Sequence, residues 1–261
     1  QEVAPYYAGL PALFEFAFWY RLKYALNNNA GCYLAKDILN QQQAYASFRN
    51  DYIEATKLTN HDEYRTASEL GRSADKCKLA AAILLTAPGE PYIYYGEELG
   101  MYGEQTNGDE YVRAPMLWGD SYTTAYTDKI DKSAASNIAT VDKQLEDKNS
   151  LLNTYLTFTR LRNTYPALAE GTMSKHPVYN DSNEKNYKSV AAWYMTKDNE
   201  KLLVIHNLGS SSVTLPLTEN IEKAIAVLGN AQQSKSATGF TVKLDKYSSI
   251  LPVSRSSSKQ K

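Results

Sequence analysis

The hydrophobic period of this chain changes at Pro166, and no single layer of secondary structure satisfies both periods. Upstream, Leu151, Tyr155, Phe158 and Leu161 recur at the three- and four-residue spacing of an amphipathic helix over about 150–164, which the proline ends. Downstream, Val213, Leu215 and Leu217 alternate with polar or small residues, as do Phe240, Val242 and Leu244, the two-residue period of half-buried strands. Ser189–Met195 and Lys201–His206 read as further strands, punctuated by Lys197-Asp198-Asn199 and Gly209-Ser210. Short strands at this spacing predict a small antiparallel β-sandwich. The expected division is therefore 1–168 for a first unit, 169–253 for a β-sandwich, and 254–261 for a Ser/Lys-rich tail expected to be disordered.

The first unit mixes both element types. The largely apolar run Leu10–Phe18 predicts a buried strand leading into a helix around Trp19–Leu26. After an Asn27–Asn29 loop, a helix is expected near Asp37–Arg49 and a strand over Ile53–Leu58. Ala and Leu are dense from Ala74 to Thr86, a helix that Pro88-Gly89 stops, and Tyr92–Tyr95 then reads as an aromatic strand closed by Gly96. Strand, helix, strand in this order predicts a parallel βαβ arrangement, so the overall class is α/β plus all-β.

Composition excludes some functions. A formal net charge of −1 supplies no field toward nucleic acid or anionic lipid, so no nucleic-acid partner is expected. Nowhere does the sequence reach the roughly 18 apolar residues that a membrane-spanning helix needs. Cys32 and Cys77 form neither a metal-ligand spacing nor a disulfide framework. The 21 tyrosines, each with a flat apolar face and a hydroxyl, suit sugar binding and half-buried core packing alike.

The segment Thr59-Asn60-His61-Asp62-Glu63-Tyr64-Arg65 follows the strand expected at Ile53–Leu58. Polar side chains at the C-terminal ends of parallel strands face the ligand crevice, where a carboxylate and an imidazole can hydrogen-bond vicinal sugar hydroxyls. Arg65 is placed to hold Asp62 ionised through a charge-assisted hydrogen bond. On these residues alone, a loop Asp–Arg ion pair with His61 capping its neighbours is the reading to prefer, because a lone Asn-His-Asp string is a weak signal.

The larger pattern narrows the choice. Thr59–Arg65, then Pro88-Gly89-Glu90-Pro91-Tyr92-Ile93-Tyr94-Tyr95-Gly96-Glu97-Glu98-Leu99-Gly100-Met101, then Val112-Arg113-Ala114-Pro115-Met116-Leu117-Trp118 resembles glycoside hydrolase family 13. The likeness continues through Arg160–Leu168 and Lys201–Asn207, and is nearest to cell-surface α-amylases and neopullulanases of Bacteroidetes starch-utilisation systems. It implies the C-terminal part, strands six to eight, of a (β/α)8 TIM barrel followed by an antiparallel β-sandwich. Leu13–Phe16, Ile53–Leu58 and Tyr92–Tyr95 would be those strands.

The resemblance also implies chemistry. Asp62 matches the family's transition-state carboxylate and His61 its assisting imidazole, with Asn60 and Arg65 beside them and Tyr102 and Trp118 as loop residues for binding sugar. The expected activity is retaining, endo-acting hydrolysis of α-1,4-glucans such as starch, at the bacterial outer-membrane surface or outside the cell. The nucleophile and the acid/base would lie upstream of Gln1, so the chain alone is expected to be inactive, and to self-associate or to require the rest of the barrel as partner. No cofactor or metal is expected here, since the family's structural calcium is held largely by upstream residues. Two other readings share these residues: a non-catalytic glucan- or protein-binding module, and a 4-α-glucanotransferase. Glu97 and Glu98 are expected as loop-structural or crevice-lining carboxylates, Arg113 as a loop-pinning ion pair, His176 and His206 as sheet residues, and Trp193 as sandwich core.

Overall fold

A computed structural model describes residues 3–119, 137–180, 187–237 and 239–254, so the tail reading for 255–261 falls outside the described residues. The first strands are β1 (Ala12–Glu15), β2 (Ile53–Lys57) and β3 (Glu90–Tyr92), which form a parallel sheet in the order β1-β2-β3. Phe14 lies opposite Ala55, and Thr56 opposite Pro91. The crossovers are helical: α1 (Phe16–Asn28), α2 (Leu34–Ala46), the single turn α3 (Thr66–Glu69) and α4 (Ala74–Thr86). β3 lies two residues earlier than the expected Tyr92–Tyr95 and shares only Tyr92 with it, because the chain turns after Tyr92 into a bend closed by Gly96. Gly96 has φ +79°, and a Cβ there would strike the Met101 sulfur.

Local chemistry sets these boundaries. The Glu15 carboxylate accepts the Phe18 N–H at 3.0 Å, capping α1 and starting the helix at Phe16, where the sequence predicts strand. Asn29, at φ 51°, ends it in the left-handed conformation that Asn tolerates. Ser73 caps α4, whose residues Leu79 to Leu85 are buried on every side. A helix apolar all round must be enclosed, and α4 is sandwiched between α6 (Leu151–Thr164) and the β-strands that follow. Ahead of α6 lies the short helix α5 (Val141–Glu146), and after it α7 (Pro166–Glu170) begins with the proline that stops α6.

The remaining strands are β4 (Thr172–Lys175), β5 (Val190–Lys197), β6 (Glu200–Asn207), β7 (Val213–Leu217), β8 (Ile221–Leu228), β9 (Ala231–Ser236), β10 (Gly239–Leu244) and β11 (Ser248–Ser254). Among the described residues they form antiparallel sheets of order β4-β5-β6-β11-β8 and β7-β10-β9. Val190, Ala192, Tyr194, Leu203 and Ile205 meet Leu215, Val242 and Leu244 in the core between them. The alternate residues Ala191, Trp193, Met195, Leu202 and Val204 join a different core with α1 and α4. β5 and β6 are thus buried on both faces, which is why they read as continuous apolar runs. Trp193 accordingly packs under the helices and not in the sandwich core, where sequence placed it.

The contact between the two parts centres on the end of α4. The buried Arg162 guanidinium donates to the carbonyls of Leu85 at 3.2 Å, Ala87 at 2.9 Å and Ala169 at 3.3 Å, and also to Gly89. Trp193 Nε1 donates to Thr86 O at 3.3 Å. The Thr86 hydroxyl donates to Ala82 O at 2.7 Å, which leaves its oxygen to accept from His206 Nε2 at 3.2 Å. His206 Nδ1 then accepts from the Ser249 hydroxyl at 2.6 Å. The imidazole is neutral and fully satisfied, and burial pushes its pKa down from 6.5 to about 3.

On the side of the parallel sheet away from the helices, Phe14, Ile53 and Tyr92 share one exposed face, with the Phe14 and Tyr92 rings 5.0 Å apart. Among the described residues β1 and β3 each pair on one side only.

A depressed histidine pKa means the native state binds fewer protons than the unfolded chain. The stability this gives is complete above the unfolded pKa of 6.5 and is lost as pH falls toward about 3. Between pH 6.5 and pH 4.5 the loss reaches about 2–3 kcal/mol. Chemical denaturation of the wild type and of His206→Gln across that range should show the stability difference between them change by this amount, since the other titrating groups are common to both.

Candidate active site

β2 delivers its C-terminal end between two parallel neighbours, and the chain leaves it through Leu58, Thr59, Asn60, His61 and Asp62. The Asn60 side-chain oxygen accepts the Asp62 N–H at 2.8 Å, an Asx-type turn that presents the aspartate outward. Side chains of His61 and Asp62 are 60% and 62% exposed, and His61 Nε2 lies 3.3 Å from Asp62 Oδ2. Arg113 reaches the other carboxylate oxygen, with Nη2 3.0 Å from Asp62 Oδ1 and 2.8 Å from Asp109 Oδ2. Its Nε donates to His61 O at 3.1 Å, so one guanidinium spans a backbone carbonyl and two carboxylates. On the inner face of β2 below this loop, Lys57 pairs with Glu63 and sits 4.0 Å from the centre of the Phe16 ring.

Of the residues expected here, Asn60, His61 and Asp62 are brought together and Arg65 is not. Arg65 is buried, with its guanidinium 4.7 Å and 5.0 Å from the ring centres of Tyr94 and Tyr95, and Nη1 donates to Tyr95 O at 2.8 Å. It does not hold Asp62. The arginine at Asp62 comes instead from 51 residues along the chain. Sequence spacing favoured the near arginine because it cannot see that the loop turns Arg65 inward beneath two aromatic rings.

The other candidates are dispersed. Tyr102 is partly buried against the core, and Arg72 lies 3.8 Å from its ring centre, covering one face. Trp118 is exposed, with its carbonyl accepting the Asp142 N–H at 3.3 Å. Glu97 is buried and Glu98 half-buried, and burial raises the pKa of both carboxyls. Asp109 and Lys57 were missed by sequence reasoning. The only signal for Asp109 was its i,i+4 spacing to Arg113. Among the described residues no three His, Cys, Asp or Glu side chains are grouped to hold a metal ion.

An exposed Asp flanked by His, Asn and Arg can hydrogen-bond two neighbouring hydroxyls of one sugar ring while carrying negative charge toward a developing cation.

Residues 13–171 match the family model described as "Alpha amylase, catalytic domain", and residues 190–251 match "Alpha-amylase SusG C-terminal domain". The chain is 66% identical to the α-amylase SusG of Bacteroides thetaiotaomicron over 250 residues, covering 96% of this chain and 36% of that protein. It is 30% identical to α-amylase 3 of Dictyoglomus thermophilum, covering 90% of this chain and 46% of the relative. Among solved structures, the α-amylase from H. orenii superposes with a TM-score of 0.83 at 26% identity, over 97% of this chain and 51% of that one. The chain therefore spans between a third and about half of the length of these relatives.

The two arginines should separate cleanly in stability. Arg65→Ala removes a buried donor to Tyr95 O and the filling between two rings, at a cost of about 2–4 kcal/mol. Arg113→Ala breaks half-exposed ion pairs worth no more than about 1 kcal/mol. Urea denaturation of both variants measures the difference.

Proposed function

This chain belongs to the α-amylase family of glycoside hydrolases, and from that membership we propose that it carries the transition-state carboxylate of a retaining, endo-acting α-1,4-glucan hydrolase. Its parallel strands are the C-terminal part of a TIM barrel, and its antiparallel sheets are the domain that follows. We place the division between them at 168/169.

The observation that carries the proposal is the placing of Asp62 at the C-terminal mouth of β2, its two oxygens already engaged by His61 and Arg113. In glycoside cleavage, positive charge grows on the ring as the bond breaks. Hydrogen bonds from ring hydroxyls to an ionised carboxylate tighten as that happens, and only interactions stronger in the transition state than in the ground state raise the rate. Asp62 performs that service. His61 donates to the same sugar, and Arg113 fixes the carboxylate's direction. The nucleophile and the general acid come from strands that pack over the open face of Phe14, Ile53 and Tyr92 and pair with the free edges of β1 and β3. A starch polymer is too large to enter a cell, so the enzyme works outside it or at the bacterial outer-membrane surface.

Two outcomes follow. In the intact gene product, Asp62→Asn lowers kcat on starch by at least about 10²–10³-fold, since the amide keeps the shape and removes the charge. Starch turnover that is unchanged in that variant contradicts the proposal. The isolated 261-residue chain, which leaves that apolar face and those strand edges uncovered, sediments as oligomers at micromolar concentration. A monodisperse monomer by analytical ultracentrifugation contradicts the covering by further strands.

A further inference from the structure

The loop that carries His61 and Asp62 begins at Thr59 and ends at Thr66, and both threonines turn their hydroxyls to the same buried group. That group is Glu97, five residues beyond the end of β3. Its Oε2 accepts from Thr66 Oγ1 at 2.8 Å and from Thr59 Oγ1 at 3.4 Å, while the two hydroxyls lie 3.1 Å apart. Its Oε1 accepts from the Tyr155 hydroxyl at 2.7 Å, and Tyr155 belongs to α6. One carboxylate therefore ties three elements distant in sequence: both stems of the loop, the bend after β3 and the helix behind them.

We infer that Glu97 is a positioning residue for Asp62, a clamp that fixes the two stems of the 59–66 loop to helix α6 and so sets where the Asp62 carboxylate stands over the sheet. This rests on the reading of Asp62 as a glycosidase carboxylate. Other ties on the loop are Arg65 N–H to Gly103 O at 3.1 Å, Arg65 Nη1 to Tyr95 O at 2.8 Å, the Tyr64 hydroxyl to Thr106 Oγ1 at 2.8 Å, Lys57 to Glu63, and Arg113 to His61 O and Asp62. None of these joins one stem to the other. A mere core-filling role would not need a carboxylate, because burying one away from water is unfavourable unless its lone pairs are used. Here three hydroxyl donors use them, and the backbone turn that allows it requires glycine at position 96. Burial raises the Glu97 pKa from 4.5 to about 7, so its neutral form is accessible and glutamine is a fair mimic of it.

The test is made on the intact gene product with Glu97→Ala, Glu97→Gln and Thr66→Val, reading kcat and KM on soluble starch and hydrogen exchange of residues 60–65. Loss of the clamp in Glu97→Ala lowers kcat about a hundredfold with KM within about threefold, because a displacement of the order of 1 Å spoils transition-state alignment more than binding. Thr66→Val, which frees one stem, lowers kcat about tenfold. Glu97→Gln, whose amide can donate to a threonine oxygen and accept from Tyr155, restores kcat to within about threefold of wild type. Exchange at 60–65 accelerates in Glu97→Ala while α4, β5 and β6 stay protected. Unaltered kcat and unaltered loop exchange in both Glu97→Ala and Thr66→Val overturn the inference, as does a loss that Gln fails to rescue. If Glu97→Ala does not fold, Thr66→Val and Glu97→Gln decide alone. A wild-type protein inactive on starch refutes the functional reading instead, and the exchange measurement still decides whether Glu97 holds the loop.

Discussion

The end of α4 is where the two halves of this molecule are joined, and the joint is made of backbone carbonyls that no helix can satisfy for itself. The last turn of a helix leaves its carbonyls without intrahelical donors. In α4 those groups are buried, and Arg162 and Trp193 supply the donors from two different elements, while His206 meets the Thr86 hydroxyl beside them. The consequence reaches the site directly. Arg162 also holds Gly89, one residue before β3, and β3 pairs with β2 through Ala55 and Thr56. The strand that carries Asp62 thus takes its place from a guanidinium on the opposite side of α4. A hydrophobic interface alone would bury the same area without fixing the direction in which the chain leaves the helix.

A second consequence concerns charge. Three buried ionisable groups of the parallel-sheet unit meet local partners: Arg65 two aromatic faces and a carbonyl, Glu97 three hydroxyls, and Lys57 the Glu63 carboxylate. The exposed cluster is different in kind. Arg113 is shared between Asp62 and Asp109, so Asp62 does not own its counter-ion and can exchange part of that pairing for sugar hydroxyls without leaving a buried charge behind. Rigid support beneath and exchangeable partners above are what a carboxylate needs if it is to bind more tightly as charge develops.

Much of this was legible in the residues. The helix at Ala74–Thr86 and the strand at Val213–Leu217 stand where periodicity and punctuation placed them, because in each the pattern is strong and the end signal is local. The start of α1 was misplaced because the cap is Glu15, an unusual capping residue inside an apolar run. β8, β9 and β11 carry weaker alternation, and β8 and β11 take partners far along the chain. In the site, the Asn60-His61-Asp62 string was visible because its members are adjacent. The identity of its arginine was not, since Arg113 arrives through a tertiary contact and Arg65 is removed by burial. Glu97 was seen as a loop carboxylate, but its partners Thr59, Thr66 and Tyr155 are joined only by the fold.

The account stands on Asp62 meeting a glucose ring at the mouth of β2. The most direct measurement is a crystal structure of the intact gene product soaked with a non-hydrolysable maltooligosaccharide analogue. The account predicts both Asp62 oxygens within about 2.6–3.2 Å of two adjacent hydroxyls on a single ring, with His61 on the same sugar. An oligosaccharide bound elsewhere, with Asp62 still locked to Arg113 and His61, would contradict it.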